Sequence, residues 1–158
     1  MPRHIHVACG IIERGGMVLA ARRGAGKEMA LKWEFPGGKI ESGESAEECV
    51  RRELREEMGI SVAVRAALPS STHDYPDFSV TLYPVVCAIT SGEIVLNEHA
   101  AIKWLAPEDL PGLDWAEADF PVIDDYLAGG WSLDTVSGKP ESSEADGSGR
   151  MGFRTDTI

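Results

Sequence analysis

Gly38-Lys39-Ile40-Glu41-Ser42-Gly43-Glu44, followed seven residues later by Arg52-Glu53-Leu54-Arg55-Glu56-Glu57-Met58-Gly59-Ile60, is the stretch that decides the fold. From Gly38 to Ile60, seven carboxylates fall within 23 residues. Carboxylates this dense on one short element repel each other unless cations sit among them. The stretch therefore implies a divalent metal site built on a helix. Hard cations with oxygen ligands are the usual partners of phosphate chemistry.

The spacing predicts a helix over Ala46 to Met58. Ser45 suits the N-cap, and Glu48 three residues on completes a capping box. Gly59 suits the position that ends the helix. Ala46, Val50, Leu54 and Met58 repeat every four residues and form one apolar stripe. Glu53, Glu56 and Glu57 share another face, where like charges cost about 0.2–0.5 kcal/mol per pair on a bare helix. Divalent ions would reverse that sign. Arg52 and Arg55 compensate in part, and an Arg/Glu-rich helix alone is usually a solvated, salt-bridged one. The preceding Phe35-Pro36-Gly37-Gly38-Lys39 favours a site, because its glycines permit a tight turn and let carbonyls approach a metal.

The pattern G-x5-E-x7-R-E-U-x-E-E-x-G-U, with U aliphatic, is filled by Gly38, Glu44, Arg52, Glu53, Leu54, Glu56, Glu57, Gly59 and Ile60. It resembles the Nudix box of the Nudix hydrolases. Trp33-Glu34-Phe35-Pro36-Gly37-Gly38-Lys39 and Ala118-Asp119-Phe120-Pro121-Val122-Ile123 resemble the MutT-type branch, which hydrolyses nucleoside triphosphates. The similarity spans about residues 4 to 128, the size of one domain.

The resemblance implies an α+β fold, the Nudix α/β/α sandwich with a mixed β-sheet between helices. It implies Mg²⁺, with Mn²⁺ as a substitute, held by Glu53, Glu56, Glu57 and the carbonyl of Gly37. Arg52 would orient the catalytic glutamate, and Glu44 would hold the loop. A further catalytic glutamate outside the box matches Glu98, in Asn97-Glu98-His99; otherwise Glu98 is a surface carboxylate. The substrate-binding set is Arg23, Glu34, Phe35, Pro36, Gly37, Gly38, Lys39, Phe78 and Asp119. Within it Arg23 contacts phosphate or sugar, and Lys39 reaches a phosphate unless it is simply solvated. Phe35 and Phe78 stack on the base unless they are core.

Base preference turns on Asp119. The 8-oxoguanine-sanitising prototype of this branch has asparagine there. An ionised aspartate only accepts hydrogen bonds, so Asp119 asks for an exocyclic amino group. Cytosine N4 supplies one, and the guanine N1/N2 edge supplies another. An aspartate at this position resembles the branch acting on CTP and oxidised nucleotides. The plainer reading is a carboxylate stabilising a helix N-terminus.

Composition is consistent with this. At 158 residues the chain can bury a core without staples, and its 43% hydrophobic content is ordinary. A net charge of −11 argues against nucleic-acid polymers and anionic membranes as partners. A small anionic substrate stays compatible, because bound metals invert the local field. Cys9, Cys49 and Cys87 are odd in number and widely spaced, as expected of reduced, buried thiols in a cytoplasmic protein. No signal or membrane-spanning run is visible. A monomer or weak dimer is expected.

Strands are expected at His4 to Glu13, Met17 to Arg23, Trp33 to Phe35, Ser61 to Leu68, Phe78 to Ile89, Ile94 to Leu96 and Ala101 to Leu105. Gly15-Gly16 is a turn, Gly37 to Gly43 a loop, and His73-Asp74 part of another loop. Pro107 to Leu110 reads as a helical turn and Ala118 to Leu127 as a second helix. Residues 1–130 form the catalytic domain. Residues 131–158, rich in Gly, Ser and acid, read as a flexible tail. His4, His6 and His99 have no metal-site spacing.

Together these features predict a Mg²⁺-dependent hydrolase of nucleoside triphosphates to monophosphate and pyrophosphate, clearing damaged or excess nucleotides such as 8-oxo-dGTP, CTP or modified dCTP. The alternatives are a Nudix hydrolase of another nucleoside diphosphate derivative such as ADP-ribose, a non-catalytic nucleotide-binding module, or a partner-binding protein working through its acidic tail. Retention of every box glutamate counts against the non-catalytic module.

Overall fold

The computed structural model describes residues 3–26, 31–97 and 99–129. Glu98 and the tail 131–158, expected as a catalytic residue and a flexible extension, lie outside the described residues.

Strand β1 (Arg3–Arg14) is the axis of the fold. Along one edge it pairs in parallel with β7 (Phe78–Ser91), from Arg3↔Phe78 to Glu13↔Ala88. Its other edge is shared in two parts. Cys9 to Val7 pair with β4 (Gly37–Lys39), and Glu13 and Arg14 pair with β2 (Met17–Arg22). Gly15 and Gly16 make the intervening turn at φ of 60° and 80°, the region that favours glycine. The other edge of β2 pairs with β8 (Ala101–Leu105), while β3 (Trp33–Glu34) pairs with Ala21 and Arg22 on the edge that β1 occupies earlier in the strand. Outside β7 lie β5 (Ser61–Ala67) and β6 (Ser71–Asp74). One parallel pairing among antiparallel ones makes the expected mixed sheet.

Alternation along β1 sorts the core into two layers. Val7, Cys9 and Ile11 face α2 (Phe120–Ala128) and the 3₁₀ turns before it. Ala8 and Ile12 face α1 (Ala46–Met58). Helices therefore cover both faces, the expected sandwich. The two 3₁₀ segments are Pro107–Gly112 and Glu117–Asp119. Among the described residues no helix is long and apolar enough to cross a membrane.

Helix α1 forms where its caps place it. Ser45 Oγ accepts the Glu48 amide at 3.0 Å, and Glu48 Oε1 accepts the Ser45 amide at 2.9 Å. Gly59 closes the helix in the left-handed region at φ 71°. Val50, Leu54 and Met58 are fully buried against the sheet; truncating one to alanine would cost about 2–5 kcal/mol. The three cysteines are free and buried, and burial pushes the Cys87 thiol up to about 12.

Three expectations are corrected. The glycine-rich segment is a strand at Gly37–Lys39, because Gly37 runs so close to β1 that a Cβ would strike the Ala8 carbonyl. His73 and Asp74 belong to β6, whose polar residues pair with β7 through His73↔Val80 and Asp74↔Ser79. Ile94 to Leu96 is not a strand; the Val95 amide is taken by the Met58 carbonyl at the end of α1.

Candidate active site

Helix α1 brings its acidic residues to the rim of β4. Glu53 and Glu57, one turn apart, are buried at 9% and 7% exposure, and Glu56 lies outward. Arg52 organises this end. Its Nε and Nη2 donate to the two oxygens of Glu44 at 2.7 and 2.9 Å, a bidentate pair. Its Nη1 donates to Glu53 Oε2 at 2.9 Å, and Nη2 also reaches the Lys39 carbonyl at 3.2 Å. The hydrogen bonds from Arg52 hold Glu44 below the usual carboxylate range. Arg52 thus ties the box loop, the start of the acidic face and β4 together.

Gly38 lies against the Glu53 carboxylate, where a Cβ would collide with it. Gly37 is the neighbouring residue and lines a recess on the other face of the sheet, together with Val7, Cys9, Glu34, Phe35, Leu82 and Asp119. Asp119 ends the 3₁₀ turn before α2 and is 2% exposed. Its Oδ2 accepts the Phe35 amide at 2.9 Å.

Two of the expected substrate residues, Arg23 and Phe78, are buried. Arg23 is 2% exposed, and its Nη1 donates to Glu34 Oε1 at 2.6 Å. Phe78 is core, 6% exposed and 5.0 Å from the Tyr75 ring, and is not among the residues lining the recess. Phe35 lines the recess, although its ring packs on Trp115 at 4.7 Å. Pro36 spends its carbonyl on the Gly10 amide at 2.7 Å, which anchors the turn between β3 and β4. Lys39 is at the exposed end of β4.

The electrostatics of Asp119 follow from its burial. Burial pushes its carboxyl well above the usual range, and the nearby Glu34 charge adds to this against the opposing Phe35 amide and Arg23. His99, set aside in the sequence for want of metal spacing, donates through Nε2 to Glu34 Oε2 at 2.8 Å. Only the tertiary fold reveals that contact.

Among the described residues no three His, Cys, Asp or Glu side chains converge as a preformed metal cluster. The donor chemistry nonetheless suits a hard divalent ion, which binds through one or two carboxylates and completes its shell with substrate phosphates and water. Glu53 and Glu57 on one helix face, with Gly38 leaving room beside the Glu53 carboxylate, are carboxylates of that kind.

Comparison with known proteins defines the family. The NUDIX domain family matches residues 2–126. The CTP pyrophosphohydrolase of Escherichia coli (strain K12) is 36% identical over 124 residues, covering 78% of this chain and 92% of that protein. The 8-oxo-dGTP diphosphatase of the same strain is 35% identical over 122 residues, 77% and 95% of the two chains. The solution structure of the E. coli ORF135 protein superposes with a TM-score of 0.69 at 34% identity, covering 80% of this chain and 91% of that one. The crystal structure of a MutT NUDIX hydrolase from Burkholderia pseudomallei gives a TM-score of 0.68 at 28% identity, with 78% and 98% covered. This chain belongs to the Nudix family of hydrolases, whose members generally use divalent metal ions.

Proposed function

We propose that this protein hydrolyses nucleoside triphosphates to the monophosphate and pyrophosphate, taking nucleotides whose base carries an exocyclic amino group: CTP, dCTP and modified cytosine nucleotides, or oxidised dGTP. The observation that carries the reading is the continuity through β4. Gly37 lines the recess with Glu34 and Asp119, and Gly38 touches Glu53 on the acidic helix. A nucleotide with its base in the recess would lay its phosphates toward the carboxylates.

In this reading a water oxygen attacks one phosphorus of the anhydride, the bridging bond breaks, and a glutamate takes the water's proton. Glu98 and the box glutamates are the candidates for that base. Mg²⁺, or Mn²⁺ in its place, would be held by Glu53, Glu56, Glu57 and the Gly37 carbonyl, supplying charge neutralisation on the phosphates and a more acidic water. Arg52 holds Glu53 in orientation, Lys39 would meet a phosphate, and Arg23 supports Glu34. The relatives named for CTP and for 8-oxo-dGTP favour this substrate class over ADP-ribose. The catalytic domain closes by about residue 130, and the tail beyond it is dispensable for turnover.

The test is steady-state turnover with Mg²⁺ on CTP, dCTP, 5-methyl-dCTP, dGTP, 8-oxo-dGTP, UTP and ADP-ribose. Preference for an amino-bearing triphosphate supports the reading. Turnover of ADP-ribose alone would overturn it.

A further inference from the structure

Glu34 is gripped from two sides. Arg23, just past β2, holds Oε1 at 2.6 Å, and His99, just before β8, holds Oε2 at 2.8 Å. All three side chains are buried, at 2%, 12% and 7% exposure for Arg23, Glu34 and His99. The segments are fastened beside the contact as well, since the Ala100 amide donates to the Arg22 carbonyl at 2.8 Å. Glu34 itself lines the recess.

A glutamate side chain has three rotatable bonds, and a single ion pair leaves its carboxylate free to swing about that contact. A second donor on the other oxygen, from a different element, removes the swing. A carboxylate offers about four acceptor directions. Arg23 and His99 occupy one on each oxygen, so acceptor capacity is left for a donor in the recess. A fixed acceptor discriminates strongly, because a base lacking the matching donor leaves it buried and unsatisfied.

We propose that His99 is a specificity-determining positioning residue: its bond to Glu34 Oε2 fixes that carboxylate at the recess and so selects nucleotides whose base bears an amino donor. This rests on the proposed nucleotide hydrolysis and names the device that sets its base preference.

The test compares binding of CMP, GMP and UMP by calorimetry to wild type, His99→Ala and His99→Gln, with thermal melts of each. Monophosphates bind without turnover, so this result stands apart from the hydrolysis assay. An inert wild type in that assay would remove the proposed function, whereas the Kd ratios judge His99. Wild type should bind the better of CMP and GMP more tightly than UMP. His99→Ala should shrink that ratio about tenfold, the scale of one hydrogen bond to a charged group. It should do so chiefly by weakening the amino-bearing nucleotide. His99→Gln keeps an N–H donor and should restore much of the ratio. If His99→Ala unfolds, recovery or loss of the ratio in His99→Gln decides. Equal weakening of all three nucleotides, an unchanged ratio, or no base preference in wild type would overturn the proposal.

Discussion

The carboxylate of Asp119 accepts the main-chain amide of Phe35 at 2.9 Å, joining the start of α2 to the turn between β3 and β4 across 84 residues of sequence. The contact closes one side of the recess. Its buried carboxyl sits well above the ordinary range, first because of burial and then because of Glu34.

Replacing Asp119 with Asn should therefore stabilise the apo-protein in a pH-dependent way. A carboxyl with a raised folded-state pKa contributes its full stability below the unfolded value, about 3.9. That contribution is lost as pH rises through the folded value. The variant does not titrate, so its melting temperature should gain on wild type as pH increases from about 4. Between the unfolded and folded values the gain approaches about 1.4 kcal/mol per pH unit. Melts across that range giving a constant difference would show that Asp119 titrates normally.

Glu44 carries the opposite sign. Arg52 holds its pKa down, so its stability is present above the unfolded value and lost as pH falls through the folded one. Glu44→Gln should cost about 2 kcal/mol at neutral pH, the scale of a charge-assisted pair, and progressively less in acid. Urea unfolding at pH 7 and pH 3 checks this; an equal cost at both would remove the ion pair as the cause.

The sequence disclosed α1 almost residue for residue, because caps, apolar stripe and acidic face are all local signals. Strand β4 was hidden, since Gly37-Gly38-Lys39 has no strand propensity and becomes one only by lying against β1. Strand β6 was hidden by its polar Ser71 to Asp74, paired through backbone to β7. Ile94 to Leu96 looked like a strand by composition, but Gly92 at φ 92° and the Val95 bond to Met58 hold it as a loop. The box glutamates, Gly37, Gly38 and Asp119 are candidates that stand in local motifs. The Arg23–Glu34–His99 contact could not, because it joins three elements and spans 65 residues between Glu34 and His99.

Glu57→Gln should lower kcat by at least about 100-fold, the minimum usual for a positioned acid–base or charge-stabilising group, while thermal melting stays within a few degrees. Glu57 is buried on the acidic face, so an amide of the same shape preserves packing. Turnover within about threefold of wild type, well inside that minimum, would remove Glu57 from the chemistry.

Gly38→Ala places a Cβ into the Glu53 carboxylate. The carboxylate or β4 must move, and misplacing one reacting group by about 1 Å costs about 100-fold in rate. A folded Gly38→Ala variant with kcat near wild type would show that Glu53 has no fixed place in catalysis.

Metal-dependent cleavage beside the acidic helix is decided by identifying the products of one preferred triphosphate, CTP or dCTP, by anion-exchange chromatography with Mg²⁺ and with the metal chelated. Nucleoside monophosphate and pyrophosphate should appear in equal amounts, with no turnover once the metal is removed. Nucleoside diphosphate and inorganic phosphate, or undiminished turnover in chelator, would contradict the assignment.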